Sequence, residues 1–502
     1  MPMEPISQGI FRGTGSPSEG ELGEVLARFA PDVIVGHPTF RNADNIGQEL
    51  RRGLDAAVQV YGHRKVAFVV SDGTWTRENP DTSTIDAALA GAERALATVP
   101  AEARSRLLVA ATPYDGYKGD RTPGKGSALK LIFDEMALCP SARKLILLDG
   151  DLRNDFLPWF RVFSRVEADH GTRHPGRHFF ITARYARHFV DASLTRFIVG
   201  PLTTLMGQYV PGGISGDIVL SAGAVQHERD AVWDDARRRY GTDIATTFDN
   251  IADPLTDIYE VYLGAKLHDI TDEAKLSVMP GEVIGSALAR LLHYEAMDGR
   301  VSRLLESERA LDRPETWGPD KTGIAFIDPG YTDVFNVDLK RETLLSKFAV
   351  YEEAMRAVLL PDTFARLRED WERLRKADTG DEAPVVFLNL TRERWIEILY
   401  ECLAYLFSTR DVDAAKGCLN YLYTAAFLEF CREKIAQLGG VTYGQVRKMQ
   451  QSLGVPPEQA EPFYREQVDR VVERMALRFF ENRRTILDLI RRRTSSSPPP
   501  PR

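Results

Sequence analysis

The sequence predicts an α/β protein in which a mostly parallel sheet is covered by helices on both faces and is followed by a mostly helical domain. Short runs of β-branched and aliphatic residues alternate with amphipathic segments from Asp32 to about His268. Polar residues follow the ends of these runs, where parallel sheets gather their ligands. After about Ile270, long helical patterns dominate. A chain of 502 residues is too long for one ordinary core, which also favours two domains.

Five strands are expected in the first region, each short and apolar enough to be buried on both faces. They are predicted at residues 33–35, 65–71, 106–112, 144–148 and 178–183. The polar stretch 36–39 is interpreted as a turn, and an amphipathic helix is expected at about residues 43–61. The later apolar segment 258–263 belongs to the same α/β pattern.

The second region predicts helices at residues 282–297, 341–359, 361–376, 392–408, 414–438 and 461–493. The Ser- and Pro-rich end of the chain is expected to be disordered. We therefore expect four parts: an N-terminal extension (1–30), an α/β domain (31–270), a helical domain (271–493) and a disordered tail (494–502).

The composition argues against several classes of partner. The formal net charge is −8 with no dominant basic tract, so nucleic acid is not expected. The arginine runs 237–239 and 491–493 are interpreted as solvated helix faces. No apolar run is long enough for a membrane span, and the start of the chain lacks a signal-peptide pattern. The four cysteines fit no zinc motif and no disulfide framework. We expect a soluble cytoplasmic protein, with a homodimer left open.

The strongest local motif is Asp149-Gly150-Asp151, which follows an apolar strand. Residues i and i+2 of an extended segment point to the same side, so both carboxylates can face one site. Two carboxylates close together are costly unless a cation or proton separates them, and Mg²⁺ or Mn²⁺ is the usual solution. Asp-Gly-Asp is also good turn chemistry, and that alternative stays open.

Two further features fit the same chemistry. Gly124-Lys125-Gly126 precedes a helix expected to begin near Ser127, whose free backbone N–H groups and positive end would suit an anion. Lys125 adds a point charge for phosphate. An ordinary helix start is the alternative. His268 follows the apolar segment 258–263 and can complete a metal site with the two aspartates, although a lone histidine is more often structural.

In this order, the motifs resemble the GT-A class of glycosyltransferases, and within it mannosylglycerate synthase and glucosylglycerate synthase. Glucosyl-3-phosphoglycerate synthase is a more distant resemblance. Asp149-Gly150-Asp151 looks like the class's metal motif, and Gly124-Lys125-Gly126 looks like its diphosphate loop. The segment 258–268 is similar to the histidine segment, 212–217 to the acceptor-side glycine loop, and 240–244 to a Trp-Gly-Ile-Asp segment of mannosylglycerate synthase.

The resemblance implies a GT-A (Rossmann-like) nucleotide-sugar domain that transfers a hexose with retention from a GDP- or UDP-hexose, using Mg²⁺ or Mn²⁺. The acceptor would be D-glycerate or a similar small hydroxy acid, giving a compatible solute. Implied donor-binding residues are Pro38, Thr39, Asn42, Asp72, Lys125, Gly126, Asp149 and Gly150. Implied metal ligands are Asp151 and His268, with Asp149 assisting. Asp243 and Asp217 are catalytic candidates.

The acceptor residues implied are Arg187, Asp191 and Thr195, together with Gly216 and Asp217. The first three stand at i, i+4 and i+8, which stack along one helix face. Arginine would pair with the acceptor carboxylate while the other two hold its hydroxyls. A surface Arg–Asp pair is the alternative interpretation.

The sugar and the base stay undetermined, because residues 36–42 at the first strand depart from the pattern of mannosylglycerate synthase. Three other functions stay open. A phosphorylated acceptor would make the protein similar to glucosyl-3-phosphoglycerate synthase. A metal-dependent sugar nucleotidyltransferase would release pyrophosphate instead of a nucleoside diphosphate, and a non-catalytic sugar-nucleotide-binding protein would show no turnover.

Overall fold

The computed structural model describes residues 3–15, 19–186, 192–268, 273–318, 337–376, 388–437 and 470–496. They divide into two compact units. The first unit consists of the described residues within Met1–Tyr185, Gly212–Asp269 and Pro314–Asp320. The second unit consists of the described residues within Ala186–Pro211, Ile270–Arg313 and Lys321–Arg502.

In the described part of the first unit, ten strands form one sheet in the order β1-β2-β5-β4-β3-β6-β8-β7-β9-β10. The strands are β1 (Met3–Ser7), β2 (Ile10–Gly13), β3 (Val33–Thr39), β4 (Val66–Asp72), β5 (Leu107–Pro113), β6 (Lys144–Leu147), β7 (His178–Ala186), β8 (Ile218–Ser221), β9 (Thr256–Ala265) and β10 (Glu315–Trp317). All five strands predicted in the first region are present. The N-terminal residues form part of this sheet instead of a separate extension, because β2 pairs with β5.

The sheet is parallel only in part. Strands β2, β5, β4, β3 and β6 run parallel, whereas β8 is antiparallel to both β6 and β7. The parallel strands end together, since Thr39 pairs with Asp72 and Asp72 with Pro113. The reversed strand β8, which the sequence analysis missed, begins where β6 ends, because Ile218 pairs with Leu147. Residues just before β8 are thus brought to the carboxyl ends of the parallel strands.

The predicted turn at residues 36–39 is wrong, because β3 continues to Thr39 and all seven of its residues are buried. Gly36 lies against Leu147 and Ile132, where a Cβ atom would come within 2.8 Å of the Leu147 side chain. The polar side chain of His37 is satisfied inside the protein by Glu49. A buried polar residue with a partner is compatible with a core strand.

Helices cover the sheet. In the unit that contains the sheet, the described helices up to residue 252 are α1 (Glu21–Phe29), α2 (Ile46–Tyr61), α3 (Ser83–Thr98), α4 (Ala101–Arg104), α5 (Lys125–Ala137), α6 (Leu157–Arg173), α8 (Ala222–Asp230), α9 (Asp235–Arg238) and α10 (Thr242–Ala252). Helix α7 (Gly200–Thr204) belongs to the second unit. The main core lies between the strands and helices α2, α3 and α6. Leu50 and Leu54 of α2, for example, belong to the same buried cluster as Val35 and Phe68 of the sheet. This burial is the main favourable contribution to folding.

The described elements of the second unit are mainly helices. They include a π-helical turn at Thr195–Val199, α7, and helices Glu273–Asp298, Arg300–Glu306, Val337–Val358, Pro361–Lys376, Arg392–Thr409, Val412–Gln437, Arg470–Glu481 and Thr485–Ser496. The predicted helix 461–493 is interrupted between Glu481 and Thr485, and its first nine residues lie outside the described part of the chain. Residues 494–496 end a helix instead of beginning a disordered tail, and the rest of that tail also lies outside the described residues.

Two properties of the chain complete the description. In the described ranges, no helix combines the length and the apolar character needed to span a bilayer. The four cysteines are buried free thiols, and Cys402 and Cys418 lie with their sulfur atoms 3.7 Å apart.

Candidate functional site

Three carboxylates and two ammonium groups meet at the carboxyl ends of the parallel strands. Asp149 follows β6, Asp217 precedes β8, Asp243 lies in the first turn of α10, Lys125 begins α5 and Lys266 follows β9. These residues are far apart in the chain, and the reversal of β8 and the return of β9 bring them together. We call these five residues the charged cluster.

Asp149 is the centre of the charged cluster. Its Oδ1 atom lies 2.8 Å from the Nζ atom of Lys125, and its Oδ2 atom lies 2.5 Å from the Nζ atom of Lys266. Burial alone would raise the pKa of Asp149, but the two lysines outweigh burial and hold the pKa well below its ordinary value. Asp149 is therefore an anion whose charge is already neutralised by side chains of the protein.

Lys125 bridges two carboxylates, because its Nζ atom also lies 3.0 Å from Oδ2 of Asp243. Burial lowers the pKa of Lys125, and the carboxylates of Asp149 and Asp243 more than restore it, so the ammonium form is strongly favoured. Burial raises the pKa of Asp243 to about 6, against the opposing effect of Lys125. The Lys125–Asp243 contact is consequently a full ion pair only above about pH 6.

Asp217 holds the acidic loop in place. Its side chain is fully buried, and its Oδ1 atom accepts the backbone N–H of Asp149 at 3.0 Å. Its Oδ2 atom lies 2.7 Å from the ammonium of Lys266 and accepts the hydroxyl of Tyr185. Burial, and then the charge of Asp217, raise the pKa of Tyr185 well above its ordinary value, so the tyrosine donates this bond. These contacts are those of a positioning residue, and the catalytic role of Asp217 stays a prediction.

Gly216 allows the close approach of the two loops. A Cβ atom at this position would lie 2.1 Å from Oδ1 of Asp149, a separation that real atoms do not adopt. Any larger residue at position 216 would therefore displace the carboxylate that binds Lys125 and Lys266. The glycine predicted for the acceptor side thus contacts the acidic loop directly.

The predicted donor residues of the first two strands also lie together. Thr39 ends β3 and donates to Oδ1 of Asp72, which ends β4, at 3.0 Å. Burial raises the pKa of this aspartate. Gly150 packs against them, since a Cβ atom there would lie 2.7 Å from the Thr39 side chain, 2.9 Å from the Pro38 carbonyl and 3.3 Å from Oδ1 of Asn42. The structure therefore brings Pro38, Thr39, Asn42, Asp72 and Gly150 together, and their role in donor binding stays a prediction.

The proposed metal ligands Asp151 and His268 lie on two paired segments. Leu152, the residue after Asp151, forms an isolated antiparallel bridge with His268. The backbone N–H of Arg153 donates to the Leu267 carbonyl at 2.8 Å, which extends the pairing. Within the described ranges, no group of three or more His, Cys, Asp or Glu side chains is arranged to hold a metal ion.

Two expectations about the acidic motif need correction. Gly150 and Asp151 lie in a turn, so the alternation of an extended strand does not place the two carboxylates on one side. The charge of Asp149 is compensated by lysines. The lysines thus supply a counter-charge that the sequence analysis did not consider, and the divalent cation stays a prediction for Asp151 and His268.

Part of the backbone predicted to bind an anion at the start of α5 is bonded within the protein. The N–H of Gly126 donates to the Arg239 carbonyl at 3.2 Å, and the N–H of Gly124 donates to the Tyr114 hydroxyl at 3.0 Å. A Cβ atom at position 126 would lie only 1.9 Å from the Arg237 carbonyl oxygen, so the chain segment before α10 covers this helix end. Lys125 is the group of this loop that reaches the charged cluster.

The arginine run 237–239 is not a solvated helix face. Arg237 is fully buried and lies 2.6 Å from Asp249, forms a second ion pair with Glu228, and has its guanidinium 4.3 Å from the centre of the Trp233 ring. Of the second run, Arg491 and Arg492 are exposed, whereas Arg493 is half-buried and donates to the Val358 carbonyl.

The structure does not support one continuous helix face for the acceptor residues. Arg187 and Asp191 lie outside the described residues, and Thr195 is a half-buried residue of the second unit. Ala192, between them, has a φ of 56°, which a right-handed helix does not allow. Arg187 and Asp191 cannot be placed relative to Thr195, so both the shared face and the binding role of these residues stay predictions.

The sequence analysis missed the partners that organise the site. Lys266 was noted only within the histidine segment, and Tyr185, Glu49 and Arg52 were not considered. One sequence feature points to Lys266: it is a lysine directly after an apolar strand, the position where the other site residues were found. Glu49 shows a weaker indication, as an acidic residue at a core position of an otherwise apolar helix face.

Glu49 and His37 form a fully buried pair beneath the acidic loop. The Nδ1 atom of His37 lies 2.8 Å from Oε1 of Glu49, and Oε2 of Glu49 accepts the N–H of Leu152 at 3.0 Å. Burial raises the pKa of Glu49 well above its ordinary value and lowers the pKa of His37 to about 3. Both shifts favour a neutral hydrogen-bonded pair over an ion pair.

No family model matches the chain, and no curated protein matches it. Among solved structures, it is similar to glucosyl-3-phosphoglycerate synthase from Mycobacterium tuberculosis in complex with phosphoglyceric acid, at 19% identity over 57% of this chain and 88% of that chain, with a TM-score of 0.37. It is also similar to the same enzyme in complex with Mn²⁺, UDP-glucose and phosphoglyceric acid, at 18% identity over 56% and 86%, with a TM-score of 0.37. At this sequence identity and TM-score, the similarity carries no argument about function, which must be argued from the chain's own residues.

Proposed function

We propose that this protein is a metal-dependent glycosyltransferase of the GT-A class that transfers a hexose from a nucleotide sugar to a small hydroxy acid. The observation that carries the proposal is the convergence of Asp149, Asp217, Asp243, Lys125 and Lys266 where the parallel strands end. Ligands of α/β sheets bind at these ends. The predicted donor residues Pro38, Thr39, Asn42 and Asp72 adjoin the cluster through Gly150.

The lysines of the charged cluster suit a diphosphate. Lys125 and Lys266 are both largely buried ammonium groups, which attract phosphate oxygens more strongly than exposed ones do. Their present partner, Asp149, supplies the negative charge that keeps them ionised and in position. In the proposed donor complex, Lys125 contacts the diphosphate, and Asp149 contacts the ribose or a water on the cation.

Asp151 and His268 are the proposed protein ligands of a divalent cation. The two residues fit this role because their backbones belong to paired segments, and because Mg²⁺ commonly takes only one or two protein ligands and fills its shell with substrate phosphates and water. Such a site needs no group of three protein ligands. The bound cation supplies Lewis-acid stabilisation of the negative charge on the departing nucleoside diphosphate.

We propose transfer with retention at the anomeric carbon. The bond from that carbon to the acceptor hydroxyl oxygen forms, its bond to the β-phosphate oxygen breaks, and the hydroxyl proton passes to the departing phosphate. A retaining glycosidase would instead need a carboxylate nucleophile. Asp243 is the candidate for positioning the acceptor, and Lys125 holds its carboxylate in place.

D-glycerate, or a similar small hydroxy acid, is the proposed acceptor. Arg187 would bind the acceptor carboxylate, and Asp191 and Thr195 its hydroxyls. Charge-assisted hydrogen bonds of this kind contribute about 1.5–3 kcal/mol each, enough to select acids over glycerol. The product would be a glycosylglycerate of the compatible-solute type.

The test begins with a thermal-shift screen of UDP- and GDP-hexoses in the presence of Mn²⁺. The best donor is then incubated with D-glycerate, 3-phosphoglycerate, lactate or glycerol, and released nucleoside diphosphate and pyrophosphate are both measured. We expect nucleoside diphosphate release and, by NMR, a product with the anomeric configuration of the donor. Pyrophosphate release from a nucleoside triphosphate and a sugar phosphate would instead identify a nucleotidyltransferase.

The acceptor comparison separates the finer parts of the proposal. We expect glycerate to be used at least tenfold better than glycerol, and Arg187→Ala to remove most of that difference without changing donor affinity. Preference for 3-phosphoglycerate would replace the acceptor assignment by a phosphorylated one. Binding of donor without turnover of any acceptor would refute the enzyme proposal.

A further inference from the structure

Helix α2 binds both backbone polar groups of Leu152, the residue that directly follows the acidic loop. Glu49 accepts the backbone N–H of Leu152 at 3.0 Å, and Arg52 donates to the carbonyl oxygen of the same residue at 2.5 Å. Glu49 and Arg52 stand three positions apart, so both side chains leave the same face of the helix. The two contacts hold the successive peptide groups on either side of the Leu152 Cα atom, which fixes the backbone at this residue.

Leu152 connects the two proposed metal ligands, Asp151 and His268, through its backbone. Leu152 directly follows Asp151, and its backbone forms the bridge to His268. The Leu152 side chain is itself fully buried, which removes its remaining freedom. Any movement of the Leu152 peptide therefore changes the position of Asp151 relative to His268.

Stability alone does not account for Glu49. The residue is fully buried beside the apolar core positions Leu50 and Leu54, where a carboxyl group is costly unless it is bonded. Its second oxygen contacts His37, which is also fully buried and whose ring stacks on Phe68. Replacing buried polar partners by apolar residues is often neutral or stabilising. The bond to Leu152 is the feature of this buried pair that acts on the proposed site.

We propose that Glu49 and Arg52 are positioning residues that set the separation of Asp151 and His268 for the divalent cation, while His37 orients the carboxyl group of Glu49. This inference rests on the proposed function, because it needs a cation at those two residues. Neither residue contacts the donor or the acceptor in this account; each acts through the Leu152 peptide.

The test compares Mn²⁺ affinity, measured by calorimetry in the presence of UDP, among variants of the full chain. Glu49→Leu removes the bond to the peptide and is expected to weaken Mn²⁺ binding by about tenfold or more, as loss of a residue that orients a metal ligand does. Glu49→Gln keeps an acceptor for Leu152 and a donor for His37, so we expect its Mn²⁺ affinity to stay within about threefold of the wild type.

Glu135→Leu is the matched control. Glu135 is another buried carboxylate of the same unit, and it accepts the N–H groups of Gly20 and Gly23 at 3.0 and 2.6 Å and the hydroxyl of Tyr117 at 2.7 Å. Its loss should lower thermal stability without changing Mn²⁺ affinity. If Glu49→Leu does not fold, Arg52→Met replaces it, since that half-buried side chain can lose its carbonyl contact with less damage to the core.

The outcomes separate this inference from the function on which it rests. Absence of Mn²⁺ binding in the wild-type protein overturns the proposed metal site itself. Mn²⁺ binding in the wild type with unchanged affinity in both Glu49→Leu and Arg52→Met overturns the positioning role alone. A loss in Glu49→Leu that Glu49→Gln does not share, with no loss in Glu135→Leu, supports it.

Discussion

The acidic loop 149–151 and the glycine loop 124–126 look like two halves of one ligand site in the sequence, but they contribute in different ways. In the acidic loop, the backbone N–H of Asp149 is bound to Asp217, and the Asp149 side chain reaches two lysines. In the glycine loop, backbone N–H groups that could bind an anion are used by Arg239 and Tyr114.

The difference shows that glycine has two separate uses here. At Gly126, the missing side chain lets a neighbouring segment of the protein approach the helix end. At Gly150 and Gly216, it lets the acidic loop fit among donor-side and acceptor-side residues. A glycine-rich stretch before a helix therefore predicts close backbone approach, but the approaching group can be another part of the same chain.

The largest effect is expected from Asp149→Ala, which removes the shared partner of Lys125 and Lys266. Lys125 and Lys266 keep Asp243 and Asp217 as partners, but two charge-assisted contacts are lost, so we expect the free energy of unfolding to fall by roughly 3 kcal/mol and donor turnover to be lost. Urea denaturation measures the first and product formation the second. Glu102→Ala, which removes an exposed partner of Arg106, is the control and should change stability by less than about 0.5 kcal/mol. Equal effects of the two substitutions would remove the central role of Asp149.

Gly126→Ala is expected to have the next largest effect. The added Cβ atom would lie 1.9 Å from the carbonyl oxygen of the buried Arg237, so the covering segment must move. Overpacking of this kind costs about 1–3 kcal/mol, measured by urea denaturation. Gly171→Ala is the control, because that glycine lies within α6 with no atom near its Cβ position. Alanine there should stabilise the protein by about 0.5–1 kcal/mol. A tolerated Gly126→Ala would mean that the helix end is open.

The smallest effect is a pH dependence that comes from Asp243. Its pKa is raised from an ordinary value of 3.8 to about 6, so the folded protein binds more protons than the unfolded chain between these values. Stability therefore falls as the pH rises through that window and is level above it. Asp243→Asn should remove this slope. Urea denaturation midpoints of the wild type and Asp243→Asn, measured from pH 3.5 to 7.5, test this. The same pH dependence of the midpoint in both proteins would contradict the assigned pKa.

Much of the fold could be predicted from the sequence, because it follows from local patterns. The strand ends at Asp72 and before Asp149 were located to within two residues by apolar runs alone. The strand β8 was missed, since four residues give too little periodicity. The polar end of β3 was mistaken for a turn, because the buried partner of His37 comes from helix α2.

The site was predictable as a set of residue types but not as a set of contacts. Ion pairs such as Lys266 with Asp149 join residues more than 100 positions apart, and local spacing carries no information about them. The burial of Arg237 depends likewise on Glu228 and Asp249, which follow from the packing of α8 and α10. The positive φ at Ala192, just before Thr195, could not be predicted either, because an alanine gives no indication of it.

The most direct test of the account is a titration with Mn²⁺ in the presence of UDP, followed by calorimetry, for the wild type, Asp151→Asn and His268→Gln. Asp115→Asn, in which a loop aspartate that accepts the N–H of Arg77 is changed, is the control. If the two proposed ligands hold the cation, each of their substitutions weakens Mn²⁺ binding at least tenfold, while the control stays within about twofold. Unchanged Mn²⁺ affinity in both Asp151→Asn and His268→Gln would contradict the metal site and, with it, the proposed transferase chemistry.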